Sequence, residues 1–160
     1  MGPRTLRILL TAISAMALPS CRGGSADGPG GAVLGLYGAL EAGDGARAVS
    51  LLSSGALLEI GERLEELAAD PASSSEQLAM LGIPIDPYEL EGMTAARFAE
   101  VLYSSGMVRG IVRSGTVSIE SVETDGDSAE VRVRCGFPWA TSTRRLTVVL
   151  EDGAWRVATL

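Results

Sequence analysis

The most reactive side chains in this 160-residue sequence are the thiols of two cysteines, Cys21 and Cys135. Histidine, the commonest general base, does not occur in the sequence. Its absence excludes the Ser-His and Cys-His pairs of covalent catalysis and most zinc and iron sites. We therefore predict no metal ion and no cofactor, and we assign no catalytic residue.

Carboxylates and phenols offer a second kind of chemistry, which does not need histidine. A buried Asp with a raised pKa can act as a base beside a Tyr hydroxyl that donates a hydrogen bond. The candidates are Asp70 or Asp86 as the base and Tyr88 or Tyr103 as the donor. These groups would have to converge in one buried, concave site. Such a site would belong to a small enzyme of the isomerase or dehydratase type, which we keep as the alternative function.

The charge of the chain is strongly negative, at −7, and all 13 of its basic residues are arginines. An acidic surface repels phosphate groups, so we exclude nucleic acid as a partner. The arginines are scattered along the sequence, and we expect no basic binding patch. The 46% content of hydrophobic residues is that of a globular protein, and the length suits one domain.

The first twenty residues have the pattern of an export signal. Arg4 and Arg7 form a basic start, and a mostly apolar run over 8–18 follows. As a helix this run would span about 16 Å, roughly half of the hydrocarbon layer of a bilayer. We therefore predict a cleaved signal peptide over 1–20 rather than a transmembrane helix.

The end of this segment, Leu18-Pro19-Ser20-Cys21, resembles the lipobox of bacterial lipoproteins. In that motif an aliphatic, a variable and a small residue precede a cysteine. The resemblance implies cleavage between Ser20 and Cys21, a diacylglycerol on the Cys21 thiol and acylation of the new amino group. Acyl chains that bury methylenes at ~0.8 kcal/mol each would hold the protein on a membrane. The alternative is an ordinary secretory signal that a cysteine happens to follow.

The glycine-rich segment over 21–31 is predicted to be a flexible tether, with a single folded domain over 32–160. Among lipoproteins of bacteria with two membranes, Asp directly after the lipidated cysteine favours the inner membrane. Arg22 occupies that position here. We therefore expect the protein in the cell envelope, on the outer membrane and facing the periplasm where two membranes exist.

Helical spacing of apolar residues characterises the first part of the domain. Two helices are predicted with both ends, from Ala32 to Gly43 and from Ala56 to Ala69. Three more are predicted from their start signals, which are a cap at Asp44, a capping box at Ser73–Glu76 and a cap at Thr94. The segment 83–90 carries two prolines and is expected to be irregular or extended. The segment 107–112 fits either a helix or a strand.

Apolar and polar residues alternate from Thr116 onward, which predicts strands. The turns are expected at Asp125-Gly126 and at Asp152-Gly153. The product is an antiparallel meander with one apolar face, which the preceding helices must cover. Cys135 lies on that face and is expected to be a small buried hydrophobe rather than a redox group.

This order of elements resembles the nuclear transport factor two-like superfamily, and more narrowly bacterial lipoproteins of unknown function with that fold. The resemblance covers roughly 32–160 and rests on two helices joined by Leu40–Val49 and on a last strand within Glu151–Val157. It implies an α+β fold in which a cone-shaped antiparallel sheet wraps over helices, often with a pocket and often as a homodimer. Relatives such as ketosteroid isomerase place carboxylates in that pocket, but their positions do not map onto this chain. The insert over 55–93 departs from the compact form and could plug or roof the pocket.

The favoured function is therefore that of a non-catalytic envelope module that binds a small apolar ligand or a protein partner. Four aromatic residues are candidates to line a pocket: Phe98, Tyr103, Phe137 and Trp139. Packing in the core or in loops is the competing explanation for each of them.

Overall fold

Seven helices precede four strands in residues 27–158, the part of the chain that the computed structural model describes. The helices are α1 (Pro29–Ala42), α2 (Gly45–Ser50), α3 (Ser54–Ala68), α4 (Pro71–Met80), α5 (Pro87–Gly92), α6 (Ala95–Ser104) and α7 (Gly106–Arg113). The strands are β1 (Thr116–Asp125), β2 (Ser128–Phe137), β3 (Ala140–Glu151) and β4 (Ala154–Val157). The protein is α+β, with helices packed against one antiparallel sheet, as predicted.

The first helix begins earlier than its apolar pattern indicated. Its first residue is Pro29, three positions before Ala32, because a proline lacks the N–H that the first turn of a helix leaves unpaired. The helix ends before Gly43, whose φ of 73° is left-handed. The predicted signal peptide, the lipobox with Cys21 and the sorting residue Arg22 lie outside the described residues.

The sheet is an open meander in which each strand pairs with the next along the chain. The connecting residues are Gly126 and Asp127, then Pro138 and Trp139, then Asp152 and Gly153. Asp152 and Gly153 both have positive φ, of 51° and 77°, which a tight two-residue hairpin turn requires. The predicted turn at Asp152-Gly153 is therefore confirmed. The hairpin predicted at Asp125-Gly126 forms one residue later, at Gly126 and Asp127, because Asp125 still pairs with Ser128.

One face of the sheet, which we call the inner face, meets the helices. Its buried residues include Val117, Ala129, Val131, Val133, Cys135, Leu146, Val148 and Val157. Helix α1 contacts all four strands and buries Val33, Leu36 and Leu40 completely. The predicted alternation is confirmed along these stretches of β2 and β3. The core extends from the layer between α1 and the inner face into the contacts between the helices.

The other helices form a layer that packs on α1 and on one another. α2 contacts α1 and α6, while α3 contacts α4, α5 and α6. The predicted caps at Asp44 and Thr94 are confirmed, since each side chain accepts a hydrogen bond from a backbone N–H three residues on. Among the described helices, none has the length and apolar character needed to span a bilayer.

Two sequence predictions about this helical layer are wrong. The capping box at Ser73–Glu76 does not open α4, because Asp70 caps it and Pro71 supplies its first residue. The segment 83–90 is extended only in its first half, since α5 begins at Pro87. A proline interrupts a helix interior but fits a helix start. The segment 107–112 is helical, within α7.

Candidate functional site

The carboxylates proposed for the alternative enzyme are structural caps on the surface. The Asp70 carboxylate accepts a hydrogen bond from the Ser73 N–H, and the Asp86 carboxylate accepts one from the Tyr88 N–H. Both carboxylates lie on exposed residues, and the Tyr88 side chain is 85% exposed. Tyr103 is 2% exposed in the core. The structure therefore does not bring these four residues into one buried site.

The four aromatic candidates separate into two pairs. Phe98 and Tyr103 belong to the buried core between the helices. Phe137 is the last residue of β2 and Trp139 lies in the turn that follows, and their rings stack with centroids 5.3 Å apart. Trp139 is 75% exposed although it is among the most apolar side chains in the chain. The stacked pair, in which Trp139 is exposed and Phe137 is half-buried, marks the turn as the candidate contact surface, whereas the buried pair is core packing.

The helical cover of the inner face stops before it reaches this turn. Val133 and Cys135 on β2 are buried, at 0% and 3% exposed. Their cross-strand partners on β3, Arg144 and Ser142, share that face and yet are exposed. We call the segment 135–145, with its uncovered inner face and its turn, the hairpin end.

A buried phenol and a buried thiol border the uncovered area. Burial raises the pKa of Tyr37, on α1, far above its ordinary range, and burial also raises the pKa of Cys135. The nearby Arg144 guanidinium opposes both shifts because a positive charge favours the ionised forms. The thiol and the phenol are therefore neutral near pH 7. A neutral thiol is a poor nucleophile.

The arginines that look scattered in the sequence come together in the sheet. Arg132 and Arg145 are direct cross-strand partners, and Arg134 and Arg144 lie one or two positions away. The segment 131–150 carries these four arginines and no Asp or Glu. Antiparallel pairing thus juxtaposes arginines that are far apart in sequence, with three of them beside two glutamates on the face opposite the helices and Arg144 on the inner face.

Two glutamates on the outer face, opposite the helices, partly balance this positive charge. The Arg134 Nε lies 3.3 Å from an oxygen of Glu120. Glu130 lies 3.8 Å from Arg132 and 3.7 Å from Arg145. Solvent-exposed pairs of this kind are weak, and three arginines share two carboxylates.

The hairpin end also carries an open strand edge. In the described part of the chain, β4 pairs with β3 only over Val148–Glu151. All residues from Ala140 to Arg145 are exposed. Exposed backbone groups on the edge of a sheet can pair with another extended chain. The site therefore combines an aromatic turn, several arginines and a strand edge with which no other described strand pairs.

Sequence reasoning identified Phe137, Trp139 and Cys135 but missed Tyr37 and Arg144. Tyr37 looks like any other core position of an amphipathic helix, so nothing in its spacing distinguishes it. For Arg144 the sequence did contain a usable indication, because 131–150 lacks acidic residues in a chain of net charge −7. No group of three or more potential metal-binding residues occurs within the described residues.

Comparison with the models of known protein families, with curated proteins and with solved structures gives no match to this chain. The assignment of a function therefore depends on the sequence motif at Cys21 and on the geometry of the hairpin end.

Proposed function

We propose that this chain is a lipid-anchored protein of the bacterial cell envelope whose domain is a non-catalytic binding module. The anchor is the thioether-linked lipid on Cys21, and the binding surface is the hairpin end. The occupant of that surface is a small apolar ligand or a protein partner. In a bacterium with two membranes, the protein lies on the periplasmic face of the outer membrane.

The anchor is supported by the sequence around Cys21. A basic start, a short apolar run and the residues Leu18-Pro19-Ser20 precede the cysteine at the spacing of the lipobox. The α+β architecture agrees with the resemblance to lipoproteins that carry a nuclear transport factor two-like domain. That family assignment is part of the proposal, as is the homodimer that the resemblance implies.

The single observation that carries the binding role is the exposed Trp139 ring stacked on the half-buried Phe137. Trp139 stacks on Phe137 outside the core, at 75% exposure, next to the uncovered part of the inner face. Exposed aromatic side chains are enriched at sites of contact with ligands and partners.

Intact mass measurement of the protein extracted from membranes tests the anchor. The expected result is a mature chain that begins at Cys21 and carries the added mass of two or three acyl chains. A Cys21→Ser variant should lose that added mass and leave the membrane fraction. An unmodified thiol on a secreted wild-type chain would contradict the anchor and would leave the binding proposal standing.

Site-specific photo-crosslinking in the producing cells tests the binding surface. A benzoylphenylalanine at position 139 should form a defined adduct, whose mass identifies a small ligand or a protein. The matched control places the same group at position 88, because Tyr88 is an equally exposed aromatic residue in the helical layer. Equal labelling from both positions would refute a specific role for the hairpin end.

A further inference from the structure

We infer that the hairpin end contacts the bilayer to which the lipid on Cys21 attaches the protein, with the Trp139 ring lying among the phospholipid headgroups. This inference rests on the proposed function, because it takes the anchor as given and identifies phospholipid as the apolar ligand of the hairpin end. It follows from the exposure of Trp139, from the absence of charge around it and from the length of chain between Cys21 and the domain.

The tip of the β2–β3 hairpin, which we define as residues 136–143, carries no charged side chain. The Phe137 and Trp139 rings stack within this tip, and the tryptophan is 75% exposed. A charged side chain is costly to move into a bilayer, whereas the apolar ring and polar N–H of tryptophan suit the interface between membrane and water. The tip can therefore enter the headgroup layer without removing a charge from water.

The other exposed large hydrophobic side chains of the described residues have acidic neighbours. Each lies one to four positions from a glutamate in the sequence; they are Leu58, Met80, Tyr88 and Val122. For Trp139 the nearest acidic residues along the chain are Glu130 and Glu151, nine and twelve positions away. Glu130 is moreover paired with two arginines on the outer face. Trp139 is therefore the exposed hydrophobic side chain in this part of the molecule that best suits a lipid surface.

The lipid anchor and the hairpin tip are able to reach the same bilayer. Helix α1 starts beside the middle of the sheet, where a Cβ on Gly30 would lie 3.2 Å from the Ile119 Cδ1. Ile119 pairs with Val133, and the six positions from Val133 to Trp139 measure at most about 20 Å as extended chain. The nine positions from Cys21 to Gly30 can span up to about 30 Å. An anchor on Cys21 thus permits Trp139 to lie in the interface.

Tryptophan fluorescence of the mature, lipidated chain in vesicles tests this contact. The chain carries Trp155→Phe, because Trp155 is the second tryptophan of the sequence and packs half-buried against the core. The vesicles are phosphatidylcholine with bromine near the headgroup end of one acyl chain, since bromine quenches tryptophan on contact. We expect Trp139 emission about twofold lower than in unbrominated phosphatidylcholine, with its maximum shifted to shorter wavelength.

Two controls locate the contact at the tip. A chain whose one tryptophan stands at position 88, made by Tyr88→Trp, Trp139→Phe and Trp155→Phe, should show no quenching, because Tyr88 is an equally exposed aromatic residue beside glutamates. Within the tip, Ala140→Glu should reduce the quenching of Trp139 severalfold, whereas Ala140→Gln should leave it nearly unchanged, because only the first places a charge there.

Crosslinking keeps the test valid should Trp155→Phe fail to fold. In the otherwise wild-type chain, benzoylphenylalanine at position 139 should add the mass of one phospholipid, and the same group at position 88 should not.

Three results would overturn this inference. Quenching of Trp139 no stronger than that of the tryptophan at position 88 would exclude a contact at the tip, and equal quenching in the Ala140→Glu and Ala140→Gln variants would exclude entry of the tip into the headgroups. A protein adduct at position 139 without a phospholipid adduct would refute the lipid contact while confirming the proposed binding role. An unmodified Cys21 thiol would refute the anchor and this inference together, and the intact mass identifies that case.

Discussion

The inner face of the sheet has two parts that differ in what lies over them. Under α1 the face is apolar and buried, as at Val131, Leu146 and Val148. At the hairpin end the same face continues along β3 as Arg144 and Ser142, which are exposed. The strand keeps one alternation throughout, and only the residue types change. Along β3, the change from apolar to polar residue types on the inner face therefore coincides with the end of the helical cover.

This difference separates the residues that hold the fold from the residues that are free to bind. Burial of an apolar side chain stabilises the folded state by about 1.5–3 kcal/mol, so the covered part carries the stability. The hairpin end contributes little apolar burial on β3. Its residues are therefore free to be selected for recognition. Substitutions in the covered part should therefore lower the stability of the fold, whereas substitutions at the hairpin end should affect binding and leave stability nearly unchanged.

The largest effect is expected where α1 packs on the covered part of the inner face. Leu36 is completely buried in α1, and Leu36→Ala should lower the free energy of unfolding by about 3 kcal/mol through lost burial and a cavity. The matched change at the hairpin end, Ser142→Ala, should alter it by less than about 0.5 kcal/mol. Urea unfolding followed by circular dichroism measures both. Similar losses for the two variants would show that the parts are not energetically distinct.

The next largest effect is expected in the helical layer, where α2 packs closely against α6. A Cβ at Gly45 would overlap the Glu100 carbonyl oxygen and the Ser104 Oγ, where α2 meets α6. Gly45→Ala should therefore destabilise the protein by about 2 kcal/mol. Gly38 in α1 is exposed and has nothing within 4 Å of such a Cβ.

The Gly38→Ala control should raise the free energy of unfolding by about 0.5–1 kcal/mol, because alanine favours helix. Thermal and urea unfolding of both variants would show whether Gly45→Ala lowers the free energy of unfolding while Gly38→Ala raises it. A neutral Gly45→Ala would mean that α2 and α6 can separate without cost.

Local physical rules were enough to predict most of the fold from the sequence. Alternation gave the strands, and caps such as Asp44 and Thr94 gave helix starts. The errors arose where two local rules competed. At Asp70-Pro71 a cap followed by proline prevailed over the capping box at Ser73, since the earlier start adds a turn of helix at no cost in lost N–H bonds.

The candidate site was only partly predictable, for a different reason. Alternation shows which way Arg144 faces but not whether a helix lies above it, because coverage depends on the length and direction of α1. The burial of Tyr37 next to Cys135 is a tertiary contact between residues far apart in sequence. The stacked pair of Phe137 and Trp139 was named from residue type alone, without its position at a turn.

Alkaline pH should act on the covered part through groups that burial keeps protonated. The ordinary pKa is 9.0 for Cys135 and 10.0 for Tyr37 and Tyr103, and burial raises all three in the folded protein. Above these values the folded chain binds more protons than the unfolded chain. The free energy of unfolding should therefore be insensitive to these groups below about pH 8 and fall as the pH rises through 9 and 10.

Cys135→Ala isolates the thiol in this pH profile. The variant should lack the part of the decline that begins near pH 9 and keep the part that begins near pH 10, which belongs to the tyrosines. Urea midpoints measured from pH 7 to pH 10.5 would resolve the two. An identical profile for both proteins would show that the thiol ionises in the folded state as it does in the unfolded chain.

The smallest effect is expected at the boundary between the two parts. Arg144 is exposed, so Arg144→Gln should change the free energy of unfolding at pH 7 by less than about 0.5 kcal/mol. Its guanidinium lowers the pKa of Cys135 and Tyr37 in the folded protein, so its removal should raise both further. The alkaline decline should then continue to a higher pH than in the wild type, because the folded thiol stays protonated for longer. A pH profile that superimposes on the wild-type profile would mean that the Arg144 charge does not affect the pKa values of Cys135 and Tyr37, and that the exposed part of the inner face is electrostatically separate from the covered part.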